Sequence, residues 1–207
     1  MLLYLVLLTV PCLSIYFLIS FLWIHNQGIR CDYCIKTLIV LGSGGHTAEM
    51  LPYVRCLSGR YSPRVYVIAN TDKISEDRLH AVEQLKEGEY TVVRIPRARE
   101  VKQSYVTSIF TTARSTISSI SLVFHTRPRL ILCNGPGTCI PVCFAAVLAR
   151  VLLFRQTLIV FVESVCRTRT LSLTGKILYY SRCADVIVQW PQLHAAYPKT
   201  VYLGLLS

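Results

Sequence analysis

Acidic side chains are almost missing from the second half of this 207-residue chain. Residues 90–207 hold only Glu100, Glu163 and Asp185 against fourteen Lys and Arg. Residues 1–89 are balanced, eight basic against eight acidic, so the net charge of +11 arises entirely beyond residue 89. Such a surface selects anionic partners, either lipid headgroups or a phosphorylated ligand. Nucleic acid is the usual alternative, but no recognisable nucleic-acid-binding motif is present, and that class is set aside. Charge of either sign is absent from Leu2 to Ile24. No Lys or Arg precedes this run, and Phe21-Leu22-Trp23-Ile24-His25 offers no small-x-small pattern, which argues against a cleavable signal peptide. A second CxxC is missing as well. Cys31-Asp32-Tyr33-Cys34 stands alone, which argues against a zinc ribbon and leaves an inert pair or a juxtamembrane acylation site. Internal repeats, low-complexity tracts and long linkers are also absent. Outside the apolar run about 180 residues remain, enough for one packed domain and too few for two of ordinary size.

What is present is apolar: 53% of residues are hydrophobic, and the mean hydropathy of +0.46 is too high for a disordered chain. As a helix, Leu2–Ile24 would extend roughly 34 Å, slightly more than the ~30 Å hydrocarbon layer of a bilayer. The expected organisation is a transmembrane anchor over residues 1–25, with Trp23 at the interface, a juxtamembrane linker over 26–36 and one domain over 37–207. Arg30 and Lys36 follow the span directly, so the positive-inside rule puts that domain in the cytosol. The nine cysteines agree: their count is odd, and Cys133, Cys139 and Cys143 sit in apolar surroundings, as reduced thiols do.

Within the domain, short β-rich runs alternate with longer helical segments. Strands are expected at Thr37–Leu41, Arg64–Ala69, Tyr90–Ile95, Arg129–Cys133, Thr157–Glu163, Asp185–Gln189 and Thr200–Leu203. Runs such as Leu158-Ile159-Val160-Phe161-Val162 are continuously apolar, as strands covered on both faces should be. Helices are expected near 47–58, 73–87, 104–125, 139–153 and 170–182. The third carries an apolar stripe of Val106, Ile109, Phe110, Ala113, Ile117 and Ile120. The pattern predicts an α/β fold, a doubly wound domain on a parallel sheet.

The sharpest local feature is Leu41-Gly42-Ser43-Gly44-Gly45-His46-Thr47, directly after the first strand and before a helix. Glycines there let the backbone turn tightly and approach a ligand. The following helix N-terminus offers free N–H groups to a phosphate or diphosphate. A nicotinamide-binding fingerprint would place glycine where Thr47 stands, and its acidic residue would precede Asp72. A Walker A loop would close with Gly-Lys-Ser/Thr, which is absent. A second loop, Asn134-Gly135-Pro136-Gly137-Thr138, follows the fourth strand in the same way, and loops at the carboxyl ends of parallel strands converge on one crevice. Glu163 and the basic segment with Arg97, Arg99 and Lys102 can border that crevice; the three basic residues read equally well as a solvated face, and His46 as a helix cap. Glu163 ends an apolar strand, where an unpaired carboxylate is costly, so it is either paired with Arg167 or Arg169 or functional. Pro52 strains a helix beginning at Thr47, which requires either a kink or a later start.

The segments GSGGHT (42–47), IPRAREVKQS (95–104), LCNGPGTCIPVC (132–143), VESVCRTRTLSLTGKIL (162–178), VQWP (188–191) and YPKTVYLG (197–204) together closely resemble one family. It is that of the membrane-anchor subunits of the two-chain UDP-N-acetylglucosamine transferase, the fourteenth of the asparagine-linked glycosylation proteins. The resemblance runs from residue 37 to the C-terminus. It implies the N-terminal, acceptor-side, Rossmann-like half of a GT-B glycosyltransferase similar to bacterial MurG. It further implies a soluble, donor-binding catalytic partner, the thirteenth protein of that pathway, which supplies the UDP-GlcNAc half. The pair would add a β1,4-linked GlcNAc to GlcNAc-diphospho-dolichol on the cytosolic face of the endoplasmic reticulum membrane, with no cofactor or metal held by this chain.

Carried onto this sequence, the resemblance assigns Gly42, Ser43, Gly44, Gly45, Asn134, Gly135, Gly137 and Thr138 to the acceptor diphosphate, and the residues bordering the crevice add Thr47, Arg97 and Arg99 as candidates. His46 and Glu163 are the candidates for the base that inversion at the sugar requires, and the sequence does not choose between them. The apolar C-terminus, with Val201, Tyr202, Leu203, Leu205 and Leu206, is the candidate partner-binding segment, or else an intramolecular edge strand. A non-catalytic membrane scaffold and a membrane-bound nucleotide-binding oxidoreductase are the competing functions.

Overall fold

The computed structural model describes residues 15, 16, 19, 34–70, 72–98, 105–135, 138–154 and 156–205, with the side chains of 105–109 left aside. Seven strands form one sheet: β1 (Thr37–Val40), β2 (Arg64–Ala69), β3 (Tyr90–Ile95), β4 (Leu130–Asn134), β5 (Leu158–Val162), β6 (Asp185–Val188) and β7 (Val201–Tyr202). They lie in the order β3-β2-β1-β4-β5-β6-β7, and every pair is parallel. Among the described residues the sheet is accompanied by the helices α1 (Gly45–Cys56), α2 (Lys73–Glu83), α3 (Tyr105–Thr126), α4 (Cys139–Leu153), α5 (Leu173–Ser181) and α6 (Pro191–Ala196). The short α6, opened by Pro191 in its first turn, is an addition to the expected elements.

The sheet is covered on both faces, which explains why its central strands are apolar without alternation. Leu38, Val40, Val67, Ile131, Cys133 and Phe161 belong to the core that also holds buried residues of α4 and α5. Ile39, Leu41, Tyr66, Ile68 and Leu132 point the other way, into a second core with Met50, Val54 and Leu79 of α1 and α2. This second core thins out at β5. Leu158, Val160 and Ile187 are only half-buried there, and Val201, which pairs with Ile187, is exposed.

Two expectations are corrected. The apolar stripe assigned to the third helix meets the core only in part: Ile120 packs against it, whereas Phe110 and Ile117 are 76% and 69% exposed, and the side chains of Val106 and Ile109 lie outside the described residues. Ser115, Ser119 and Val123 are buried instead, while α4 buries Ala145, Ala146 and Ala149. Small side chains let two helix axes approach closely, so the serines lie inside and the bulkier residues remain outside. The helix after the first glycine loop begins at Gly45, earlier than Thr47, and continues through Pro52. Burial of Met50, Leu51, Tyr53 and Val54 holds it together despite the backbone hydrogen bond that a proline cannot make.

Most of the proposed anchor lies outside the described residues. Ile15, Tyr16 and Ile19 are helical, and Tyr16 donates a hydrogen bond to the Val151 carbonyl (3.1 Å) and stacks edge-on against Phe154 at the end of α4. Among the described residues, no helix is long and apolar enough to cross a membrane.

One buried ion pair fastens α2 to β2. Arg64 and Glu83, both fully buried side chains, meet at 2.7 Å, and Tyr66 donates its hydroxyl to the same carboxylate. Burial pulls the Arg64 guanidinium down, but the hydrogen bonds and charge of Glu83 outweigh this and hold it above its ordinary value. Burial and the neighbouring carboxylate both push the Tyr66 phenol up. Glu83→Ala leaves the guanidinium buried and unpaired, and is expected to cost about 3–5 kcal/mol of stability, measured by urea unfolding.

Candidate functional site

In the strand order, β1 and β4 are adjacent and send their following connections in opposite directions, which makes the space between them the topological switch point. Both glycine loops emerge there. They touch through backbone: a Cβ on Gly135, whose φ is +100°, would lie 3.2 Å from the Gly42 Cα, and a Cβ on Gly42 would lie 2.8 Å from the Asn134 carbonyl oxygen. His46 closes the gap, its ring 3.3 Å from both hypothetical Cβ positions. Gly44 and Gly45 face open space, and Ser43 is exposed. The first turn of α1 has no side-chain cap and no acidic residue, which leaves its N–H groups and positive dipole end for an anion.

Thr47 points inward. It is fully buried, its hydroxyl donates to the Gly42 carbonyl and lies 2.6 Å from the Ser75 hydroxyl, and Ser75 in turn donates to Asp72, the N-cap of α2. The threonine that spoils a nicotinamide fingerprint thus pins the loop from beneath. Thr138, also buried, is the N-cap of α4. Arg97 is half-buried after β3, two strands from β1. Arg99 and Gly137 lie outside the described residues, as does Leu206.

Glu163 meets neither Arg167 nor Arg169, both of which are exposed. It is 2% exposed, and its two carboxylate oxygens accept backbone N–H groups from Ser164 (3.1 Å) and Ser172 (2.8 Å). Ser172 is the N-cap of α5, so the carboxylate sits against the positive end of that helix. It closes the 164–172 loop at one end, while Trp190 holds the same loop through the Val165 carbonyl (2.7 Å).

The residue that sequence reasoning missed is Glu49. One carboxylate oxygen accepts from the Ser164 hydroxyl (2.7 Å) beyond β5. The other accepts from the Asn134 side-chain amide (3.1 Å) and lies 3.5 Å from His46 Nδ1. A turn further on, burial first and the Glu49 charge second push the Tyr53 phenol up to about 12. One carboxylate therefore joins the first glycine loop, the second and the end of β5.

A concavity of about 510 Å³ runs between α4 and α5 and is lined by Ile140, Phe144, Val147 and Ile177 together with Arg150 and Arg182. Arg150 donates to the Cys183 carbonyl (3.1 Å), and burial pulls its guanidinium down. Among the described residues, no three His, Cys, Asp or Glu side chains are grouped as metal ligands.

An all-parallel, doubly wound domain opening two glycine loops at its switch point is a Rossmann-like domain. MurG from Acinetobacter baumannii shares this fold, with a TM-score of 0.53 at 19% identity, over 75% of this chain and 41% of that one. Residues 37–206 match the family described as oligosaccharide biosynthesis protein Alg14 like, and the chain belongs to it. Among its relatives, UDP-N-acetylglucosamine transferase subunit ALG14 of Rattus norvegicus is 52% identical over 198 residues, covering 90% of this chain and 91% of that protein. The Homo sapiens protein of the same name is 44% identical over 199 residues, 91% of each chain. That of Schizosaccharomyces pombe is 40% identical over 177 residues, 82% of each.

The loop packing separates the glycines experimentally. Gly42→Ala drives a methyl into backbone and is expected to cost about 1–3 kcal/mol, lowering the melting temperature by several degrees. Gly45→Ala, which meets nothing within 4 Å, should leave it unchanged.

Proposed function

We propose that this chain is the membrane-anchored, acceptor-binding subunit of a two-chain UDP-GlcNAc transferase. Its reaction adds a β1,4-linked GlcNAc to GlcNAc-diphospho-dolichol at the cytosolic face of the endoplasmic reticulum membrane. The observation that carries the reading is the pair of glycine loops nested at the switch point with His46 between them. The names borne by the relatives, subunits of a UDP-N-acetylglucosamine transferase, support it. The donor sugar nucleotide belongs to a soluble catalytic partner, and this chain is inactive without it.

In this reading the acceptor diphosphate lies over Ser43, Gly44 and Gly45, against the N-terminus of α1, where backbone N–H groups need no Cβ clearance. His46 is the base. As the acceptor hydroxyl oxygen attacks the donor sugar C1, its proton passes to the imidazole, the C1–O bond to UDP breaks, and UDP leaves with the bonding electrons. Glu163 serves differently: with both oxygens engaged by backbone N–H groups, it shapes the loop that borders the acceptor. In the reconstituted pair, His46→Ala should lower kcat by roughly 10²–10⁴-fold. Glu163→Gln should lower the melting temperature more than it lowers kcat. Full activity in the His46 variant would remove the base from the scheme.

The partner is expected at β7 and the thinly covered flank beside it. Val201, Tyr202, Leu203 and Leu205 are 42–52% exposed on a sheet edge, an apolar group of the kind that binding covers. Membrane proximity draws support from Tyr16 packing against α4 and from the apolar concavity with Arg150 and Arg182 alongside. Deleting residues 204–207 should weaken co-purification of the donor subunit. Unchanged capture would move the interface elsewhere.

A further inference from the structure

Glu49 lies on the turn of α1 after His46 and presents a half-shielded carboxylate to the buried edge of that ring. The His46 Nδ1 is buried and has no hydrogen-bond partner, although the Glu49 carboxylate stands only 3.5 Å away. The ring as a whole is not enclosed, since 31% of the side chain is exposed. One nitrogen therefore faces a carboxylate inside the protein, the ring packs against Gly42 and Gly135, and part of the side chain remains accessible. Glu49 is itself held from two sides, by Ser164 after β5 and by Asn134 in the second glycine loop. Asn134 is fully buried, and its Oδ1 is a second buried polar atom without a partner in the same cluster.

We infer that Glu49 is a positioning residue for His46. Resting on the reading of His46 as base, the carboxylate keeps the proton on Nδ1, leaves the Nε2 lone pair free for the acceptor hydroxyl, and stabilises the imidazolium that forms when the proton arrives. A carboxylate on one ring nitrogen fixes which nitrogen carries the proton, and a long separation in the unliganded site shortens when substrate loads. Ser164 and Asn134 hold the same carboxylate in place beside the ring.

The test is a double-mutant cycle in the reconstituted complex, with UDP-GlcNAc as donor and a lipid-diphosphate GlcNAc as acceptor. Glu49→Gln keeps the shape and removes the charge. It is expected to lower kcat roughly 10²-fold, with the acceptor KM changed by less than about twofold and the donor subunit still captured. In a His46→Ala background the same substitution should cost almost nothing more, because residues acting as a unit are not additive. Wild-type kcat in Glu49→Gln, a rise in KM alone, or losses that multiply in the double variant would each overturn the assignment. If instead His46→Ala keeps full activity, the base itself is wrong and this inference falls with it, an outcome distinct from the other three. Should Glu49→Gln melt too low to assay, Ser164→Ala frees one carboxylate oxygen without touching the charge. Its kcat should fall severalfold only while His46 is present, and an unchanged kcat there would also overturn the proposal.

Discussion

Two stretches of backbone must pass within van der Waals contact at the switch point, and only glycine permits it. Gly42 and Gly135 lie against one another so closely that a methyl on either meets main chain or the His46 ring. The candidate site is arranged around that contact. It joins the loop after β1 to the loop after β4. It sets His46 at their junction, and it leaves Gly44 and Gly45 facing outward. Parallel strands on both sides fix the height of the loops, so the approach is a property of the sheet and not of loop sequence alone.

Polar groups beneath this contact are matched in two tiers. The lower tier is spent wholly on shape: Thr47, Ser75 and Asp72 pin the first loop, and Glu163 and Ser172 pin the segment after β5. The upper tier, His46, Glu49 and Asn134, is left partly unmatched, with two buried polar atoms lacking partners. Buried polar groups are normally satisfied, so those that are not mark where a ligand or a small closure completes the arrangement. The two carboxylates near the crevice thereby part ways: Glu163 belongs to the first tier and Glu49 to the second.

The fold was largely legible because its strands are apolar runs interrupted by glycine, charge or proline. All seven appear within a residue of their expected ends, as Leu158–Val162 does inside Thr157–Glu163. Helix faces were harder. Hydrophobic periodicity pointed to Phe110 and Ile117 in α3, whereas close helix packing buries Ser115 and Ser119. Six residues were too few to reveal α6. At the site, the glycine loops and His46 announced themselves by local spacing. Glu49 did not, because the groups that give it meaning, Asn134 and Ser164, lie 85 and 115 positions away. The backbone partners that hold Glu163 have no letter of their own, so a loop-closing carboxylate and a free one read alike in a string of letters.

Over β5 and β6 the second core runs out, and Leu158, Val160 and Ile187 remain half in water. A native state that leaves such a flank wet is stabilised by any species that dries it, in proportion to the logarithm of that species' concentration. The heat tolerance of this polypeptide is therefore a titratable quantity. A thermogram of the lone chain records only the lower end of a scale whose upper end is set by occupancy.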